Sequence, residues 1–117
     1  MVNKLDSFFE LTRPMTLVLI VLSQGARYPY AIMLEIPRVT NGDYCLGAGS
    51  LYRSIRQMEA YGLLKEAPEL FHPEIDDKRR RYYRITELGL QALTTELSRM
   101  DKLIQKSKIL GIYEENE

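Results

Sequence analysis

The sequence has one cysteine, one histidine and no tryptophan in 117 residues, and each scarcity closes off a class of chemistry. A single Cys45 cannot form an internal disulfide, and with His72 as the sole imidazole no Cys/His set stands at zinc spacing. No cofactor or metal is expected. Cys45 reads as a small packing residue or a bystander, and His72, beside Pro73 in a polar stretch, as an exposed loop residue. There is no Ser/His/Asp or Cys/His constellation, no phosphate-binding glycine loop and no carboxylate pair in an apolar setting. Nucleophilic and acid–base catalysis therefore lack players, and the chain is expected not to be an enzyme. Long apolar runs are missing too. The longest, Met15 to Leu22 interrupted by Thr16, falls well short of the ~20 residues that span a bilayer, and no basic, apolar, small-residue order marks a signal peptide. A soluble, cytoplasmic protein with no membrane partner is the expectation.

Net charge is also absent: sixteen Lys and Arg balance sixteen Asp and Glu, so the overall basic excess that often accompanies nucleic-acid binding is lacking. Distribution matters more than the sum. Lys78, Arg79, Arg80, Arg81 and Arg84 crowd into one short stretch, while Glu114, Glu115 and Glu117 gather at the C-terminus, so a local basic patch survives a neutral total. At this length, and with 45% hydrophobic residues, the chain can bury one core but not two.

Residues 1–12 place Leu5, Phe8, Phe9 and Leu11 on one stripe and predict a short N-terminal helix. Between Pro14 and Gly25, Leu17 to Leu22 are apolar all round, a pattern that fits a buried helix or a buried strand; the length of the segment and its Pro and Gly brackets favour helix. A short second helix is expected over Tyr28 to Ile36, offering Tyr30, Met33, Leu34 and Ile36 to a core and stopping at Pro37. Arg38 to Gly49, with Asn41-Gly42-Asp43 and Gly47-Ala48-Gly49, reads as a connector. A third helix starts at Ser50 and closes at Gly62. Its Leu51, Ile55 and Met58 lie on one face, and Arg53, Arg56 and Gln57 on the other. Leu63 to Lys65 and Arg81 to Ile85 are β-prone and predict a hairpin with a long polar tip. Thr86 is a suitable N-cap, with Glu87 in the first turn, for a long helix whose Leu90, Leu93, Leu97, Met100 and Ile104 recur at 3, 4, 3, 4.

Two of these pieces carry chemistry. A helix of this length fits the ~12 Å major groove of DNA, where Arg recognises guanine and Gln adenine. Arg53, Arg56 and Gln57 are the right types on one face, with Ser50 and Tyr52 available to phosphates near the helix start. The bland alternative is an ordinary solvated face. Alternation along the second strand sends Arg79, Arg81 and Tyr83 to one side and Arg80, Tyr82 and Arg84 to the other. Like charges crowded this way face solvent or an anion, so a phosphate backbone is one natural partner, and a solubilising strand edge the other. Glu74, Asp76 and Asp77, just ahead, can pair with these arginines or repel DNA.

The stretches LGAGSLYRSIRQMEAYGLLK and RRRYYRITELGLQAL resemble the PadR family of winged helix-turn-helix regulators. The likeness rests on Gly49-Ser50-Leu51-Tyr52, Gly62-Leu63, the basic run Arg80 to Arg84, and Thr86-Glu87-Leu88-Gly89. Tyr28-Pro29-Tyr30-Ala31-Ile32 resembles the family's Gly-Tyr-x-Ile start of the second helix, with Pro29 where glycine is usual, and the wing loop is longer than in tighter wings. The resemblance implies a mostly α (α+β) fold, a winged helix-turn-helix with a two-stranded wing and a long C-terminal dimerisation helix. It also implies a dimeric transcription factor, usually a repressor, of the short type with a single C-terminal helix. The division is then an N-terminal helix at 1–12, a DNA-binding domain at 13–86, a dimerisation helix at 87–112 and a flexible acidic tail at 113–117. Partners are double-stranded DNA carrying a palindromic operator and a second copy of the chain. Independently of the resemblance, the Leu90 to Ile104 seam runs past what a domain this size can cover, so a partner helix is expected, with Phe8 and Phe9 docking on it. Phe8, Phe9 and Met100 could line a site for a small hydrophobic effector, although a plain interface core explains them as well. The competing function is a winged-helix protein-interaction module that does not bind DNA.

Overall fold

The computed structural model describes residues 10–114. The ambiguous apolar segment is a helix, α1 (Arg13–Ser23), and its ends show why. Thr12 accepts a hydrogen bond from the Met15 N–H at 3.2 Å, and Pro14 occupies the first turn, where its missing N–H is no loss. Met15, Leu17, Val18, Leu19, Val21 and Leu22 are all buried, because α1 is the central pillar on which every larger element packs.

Helix α2 (Pro29–Val39) runs through Pro37 rather than stopping before it. Proline in the last turn removes a single hydrogen bond, and the chain beyond it is held by Thr40 N–H to the Ile36 carbonyl (3.2 Å) and Gly42 N–H to the Pro37 carbonyl (2.8 Å). Its buried stripe is Pro29, Ile32 and Ile36, spaced i, i+3, i+7. Tyr30 and Leu34, expected in the core, lie about 200° around from Ile32 and are 58% and 55% exposed. Met33 is half-buried at the edge of the core.

Helix α3 (Ala48–Ala60) begins two residues ahead of Ser50, with Gly47 as its N-cap, so part of the expected connector is helical. Leu51, Ile55 and Met58 are buried as the periodicity requires, joined by Ser54. Strands β1 (Leu64–Glu66) and β2 (Tyr83–Ile85) pair antiparallel, with Leu64 opposite Ile85 and Glu66 opposite Tyr83. The second strand is shorter than expected: Arg81 and Tyr82 precede it, although Ala67 N–H still reaches the Tyr82 carbonyl at 2.7 Å. Arg27, between α1 and α2, exchanges both backbone hydrogen bonds with Tyr83 (3.0 and 2.9 Å) and ties the wing to the helix-turn-helix.

The junction between the wing and α4 (Glu87–Ile109) accounts for two of the sequence motifs. Thr86 N–H donates to the Leu63 carbonyl (3.1 Å), its hydroxyl to the Gly62 carbonyl (2.5 Å), and its Oγ1 accepts from Gly89 N–H (3.0 Å). A Cβ at Gly89 would lie 1.9 Å from the Leu63 carbonyl oxygen. Gly62-Leu63 and Thr86-x-x-Gly89 are thus two halves of one contact. Within α4, Gly89, Ala92, Leu93 and Glu96 are buried against the domain, and no described residue after Glu96 is buried. The helix ends in a Schellman motif, with Ile112 N–H on the Ser107 carbonyl (2.9 Å) and Gly111 N–H on that of Lys108 (3.1 Å). This cap closes the helix just ahead of the expected acidic tail at 113–117. The expected N-terminal helix with Phe8 and Phe9, and residues 115–117, lie outside the described residues. Leu11 is buried, and its N–H donates to Glu96 Oε1 at 3.3 Å. Among the described residues no helix is long and apolar enough to cross a membrane.

Candidate nucleic-acid interface

Helix α3 buries one face on α1 and presents the other outward, which is what its period dictates. Tyr52, Arg53, Arg56 and Gln57 are exposed, and Ser50 is half-exposed in the first turn. Gly47 offers no side chain to cap the helix, so the first-turn N–H groups stay available to an anion. Among the described residues, neither Arg53 nor Arg56 has an ion-pair partner.

The wing arginines differ. Arg79 pairs with Asp77 (3.6 Å), Arg80 with Asp76 (3.0 Å), Arg81 with Glu66 (2.7 Å), and Arg84 with Glu69. The basic run is neutralised by its own loop and by β1. Three of these pairs are exposed; such contacts are worth ~0–1 kcal/mol and exchange readily for phosphate. Arg80 is the exception. Its partner Asp76 has a side chain only 1% exposed, and its guanidinium lies 3.9 Å from the centre of the Tyr28 ring. Asp76 also accepts from His72 N–H (2.7 Å) and the Tyr82 hydroxyl (3.1 Å), while Tyr82 meets Tyr28 edge-on at 5.4 Å. The alternation expected for Arg79 to Arg84 along a strand does not extend to Arg79, Arg80 and Arg81, which lie before β2 in the turn that builds this cluster.

The electrostatics follow from these contacts. The His72 N–H, followed by the hydrogen bonds from Arg80 and Tyr82, holds the Asp76 carboxyl below its ordinary value of 3.8 against an opposing effect of burial. Its hydrogen bond with Asp76 raises Arg80, and Glu66 raises Arg81. Burial pushes the Tyr82 and Tyr83 hydroxyls up, so both stay protonated donors.

Between α3, the start of α2 and the wing lies an open groove of about 490 Å³, walled by Tyr28, Tyr30, Tyr52, Arg56, Arg79 and Arg81 among others. The sequence-predicted helix and wing residues Tyr52, Arg56, Arg79, Arg80 and Arg81 meet here, whereas Ser50, Arg53, Gln57 and Arg84 do not line it. Tyr28 and Tyr30 were not expected at the site, whereas Asp76, expected to pair with the wing arginines or repel DNA, does pair with Arg80. The signal for Asp76 was present in its spacing four residues before Arg80; nothing in the sequence marks Tyr28 as that arginine's platform. On α4, Leu90, Leu97, Met100 and Ile104 are each between 37% and 46% exposed, while Leu93 is filled into the chain's own core at 3%. Leu93 therefore belongs to the domain and not to the outward stripe. Among the described residues no group of His, Cys, Asp and Glu could hold a metal ion.

The profile of the Transcriptional regulator PadR-like family matches residues 18–95 of this chain. An uncharacterized protein of Lysinibacillus sphaericus is 30% identical over 93 residues, 76% of this chain and 82% of that protein. Among solved structures, a PadR family transcription regulator from Clostridium difficile R20291 is similar in fold, with a TM-score of 0.70 at 20% identity, covering 85% of this chain and 98% of that one. RosR of H. salinarum is 25% identical with a TM-score of 0.62, over 88% and 90% of the two chains.

Proposed function

The chain belongs to the PadR-like family of transcriptional regulators, and on that premise we propose that it binds a palindromic operator in double-stranded DNA as a homodimer and represses transcription there. The observation that carries this reading is the groove between α3 and the wing, lined by Arg56 and adjoined by Arg53, neither of which has an ion-pair partner among the described residues. In this reading Arg53, Arg56 and Gln57 meet base edges in the major groove. Ser50, Tyr52, Arg79, Arg81 and Arg84 meet the sugar–phosphate backbone, the arginines exchanging surface carboxylates for phosphates. Arg80 stays with Asp76 and supports the wing from within.

Residues 13–86 form the reading unit and 87–112 the dimerisation helix. The outward stripe Leu90, Leu97, Met100 and Ile104 supports the dimer, since a protruding helix with this spacing is covered most simply by its two-fold mate. An apolar seam of this kind can also enclose a flat hydrophobic effector near Met100.

Selection of bound duplexes from fragmented genomic DNA tests the reading. Enrichment of inverted repeats with half-sites about one helical turn apart is expected. Recovery of no enriched sequence would favour a winged-helix interaction module.

A further inference from the structure

The long loop between the wing strands is not free-standing. Asp76 is almost wholly enclosed and gathers the His72 N–H, the Arg80 guanidinium and the Tyr82 hydroxyl, and Arg80 is in turn laid on the Tyr28 ring at the start of α2. A carboxylate that accepts from three points of one loop fixes their relative positions, and a planar guanidinium held between carboxylate and ring has little freedom left. Tyr28 is the N-cap of α2, and the neighbouring Arg27 is bonded to Tyr83 through both backbone groups. The loop is therefore fastened to the helix-turn-helix at two adjacent residues. Asp77, Arg79 and Arg81 flank the cluster and line the groove beside it.

We propose that Asp76 is a positioning residue for DNA binding: with Arg80, Tyr82 and Tyr28 it latches the wing loop to α2, so that Arg79 and Arg81 are held along the groove before DNA arrives. This rests on the DNA-binding reading above. The latch makes a claim whose sign is opposite to that of simple electrostatics. Replacing Asp76 with Asn removes a negative charge from just beneath the surface that would meet phosphate and, on charge alone, tightens binding. With the latch, the wing must be ordered at the moment of binding, and affinity falls.

The test compares the full-length wild type with Asp76→Asn and Arg80→Lys, the second keeping its charge but losing the planar group. Binding to a fluorescent mixed-sequence duplex is read by anisotropy, and wing order by the rate of tryptic cleavage after Lys78 to Arg81. Both variants are expected to bind about three- to tenfold more weakly and to be cut several-fold faster. Wild-type or tighter binding by Asp76→Asn overturns its positioning role, and unchanged cleavage in both variants overturns the latch itself. If the wild type binds no duplex, the DNA reading fails, while the cleavage rates still decide whether the latch exists.

Discussion

At Gly89 two rules of helix chemistry oppose each other. Glycine inside a helix is ordinarily worse than alanine by ~1 kcal/mol, yet here an added Cβ would lie 1.9 Å from a backbone carbonyl oxygen that cannot move without parting the wing from α4. Gly89→Ala is therefore expected to lower stability by about 2 kcal/mol or more despite its better propensity; a urea midpoint at or above that of the wild type would show that the two elements are not in this contact. Asp76 supplies a second residue-scale expectation. Its carboxyl is held below 3.8 by the His72 N–H, then by Arg80 and Tyr82, with Tyr28 and Asp77 alongside. A lowered carboxyl stabilises the fold fully above its unfolded value and progressively less as pH falls through the folded one. The packed Tyr28 and Tyr82 ring resonances of the wild type should lose their dispersion by NMR only below about pH 4, and Asp76→Asn should show no such acid step. Of this residue-scale detail, the Thr86 cap and the outward Arg53, Arg56 and Gln57 were legible in the sequence because helical period and capping are local. The platform that Tyr28 makes for Arg80 was not, since it joins residues far apart in the chain through a loop without periodicity.

Among the elements, α3 and the wing should separate by what they recognise. Arg53→Ala or Arg56→Ala is expected to relax sequence preference by ~1–3 kcal/mol, whereas Arg79→Ala or Arg81→Ala should weaken all duplexes alike and flatten the salt dependence. Identical behaviour of the two sets would remove the distinction between reading helix and backbone clamp. Helix α4 divides along its length in the same manner. Leu93 is buried in its own domain and Leu97 is not, so Leu93→Ala should cost ~2–5 kcal/mol of folding stability. Leu97→Glu should leave the fold intact and weaken the proposed α4 dimer at least tenfold by burying a charge; sedimentation equilibrium distinguishes the two. The seam of α4 was visible from its spacing, but a 3, 4, 3, 4 repeat cannot say which members its own domain takes. Pro37 misled in a similar way: it gives up one hydrogen bond and crowds the turn before it, but near the end of the helix the Thr40 and Gly42 N–H groups still close on the Ile36 and Pro37 carbonyls. Tyr30 and Leu34 misled because apolar composition was weighed without the angle that separates them from Ile32.

For the whole molecule, zero net charge and DNA binding are compatible because the charge is unevenly placed. Among the described residues Arg53 and Arg56 have no ion-pair partner, Arg56 lining the groove, and the wing arginines are paired only with surface carboxylates that phosphate can replace, Arg80 excepted. A dimer through α4 would present two such surfaces, suited to half-sites ~34 Å apart. Counterion release gives the most direct test. The logarithm of the association constant for an operator-length duplex, plotted against the logarithm of salt concentration, should fall with a slope of about −0.9 per phosphate neutralised. Several phosphates per dimer make that slope steep. A flat plot, or no binding at low ionic strength, would contradict the assignment of α3 and the wing to DNA.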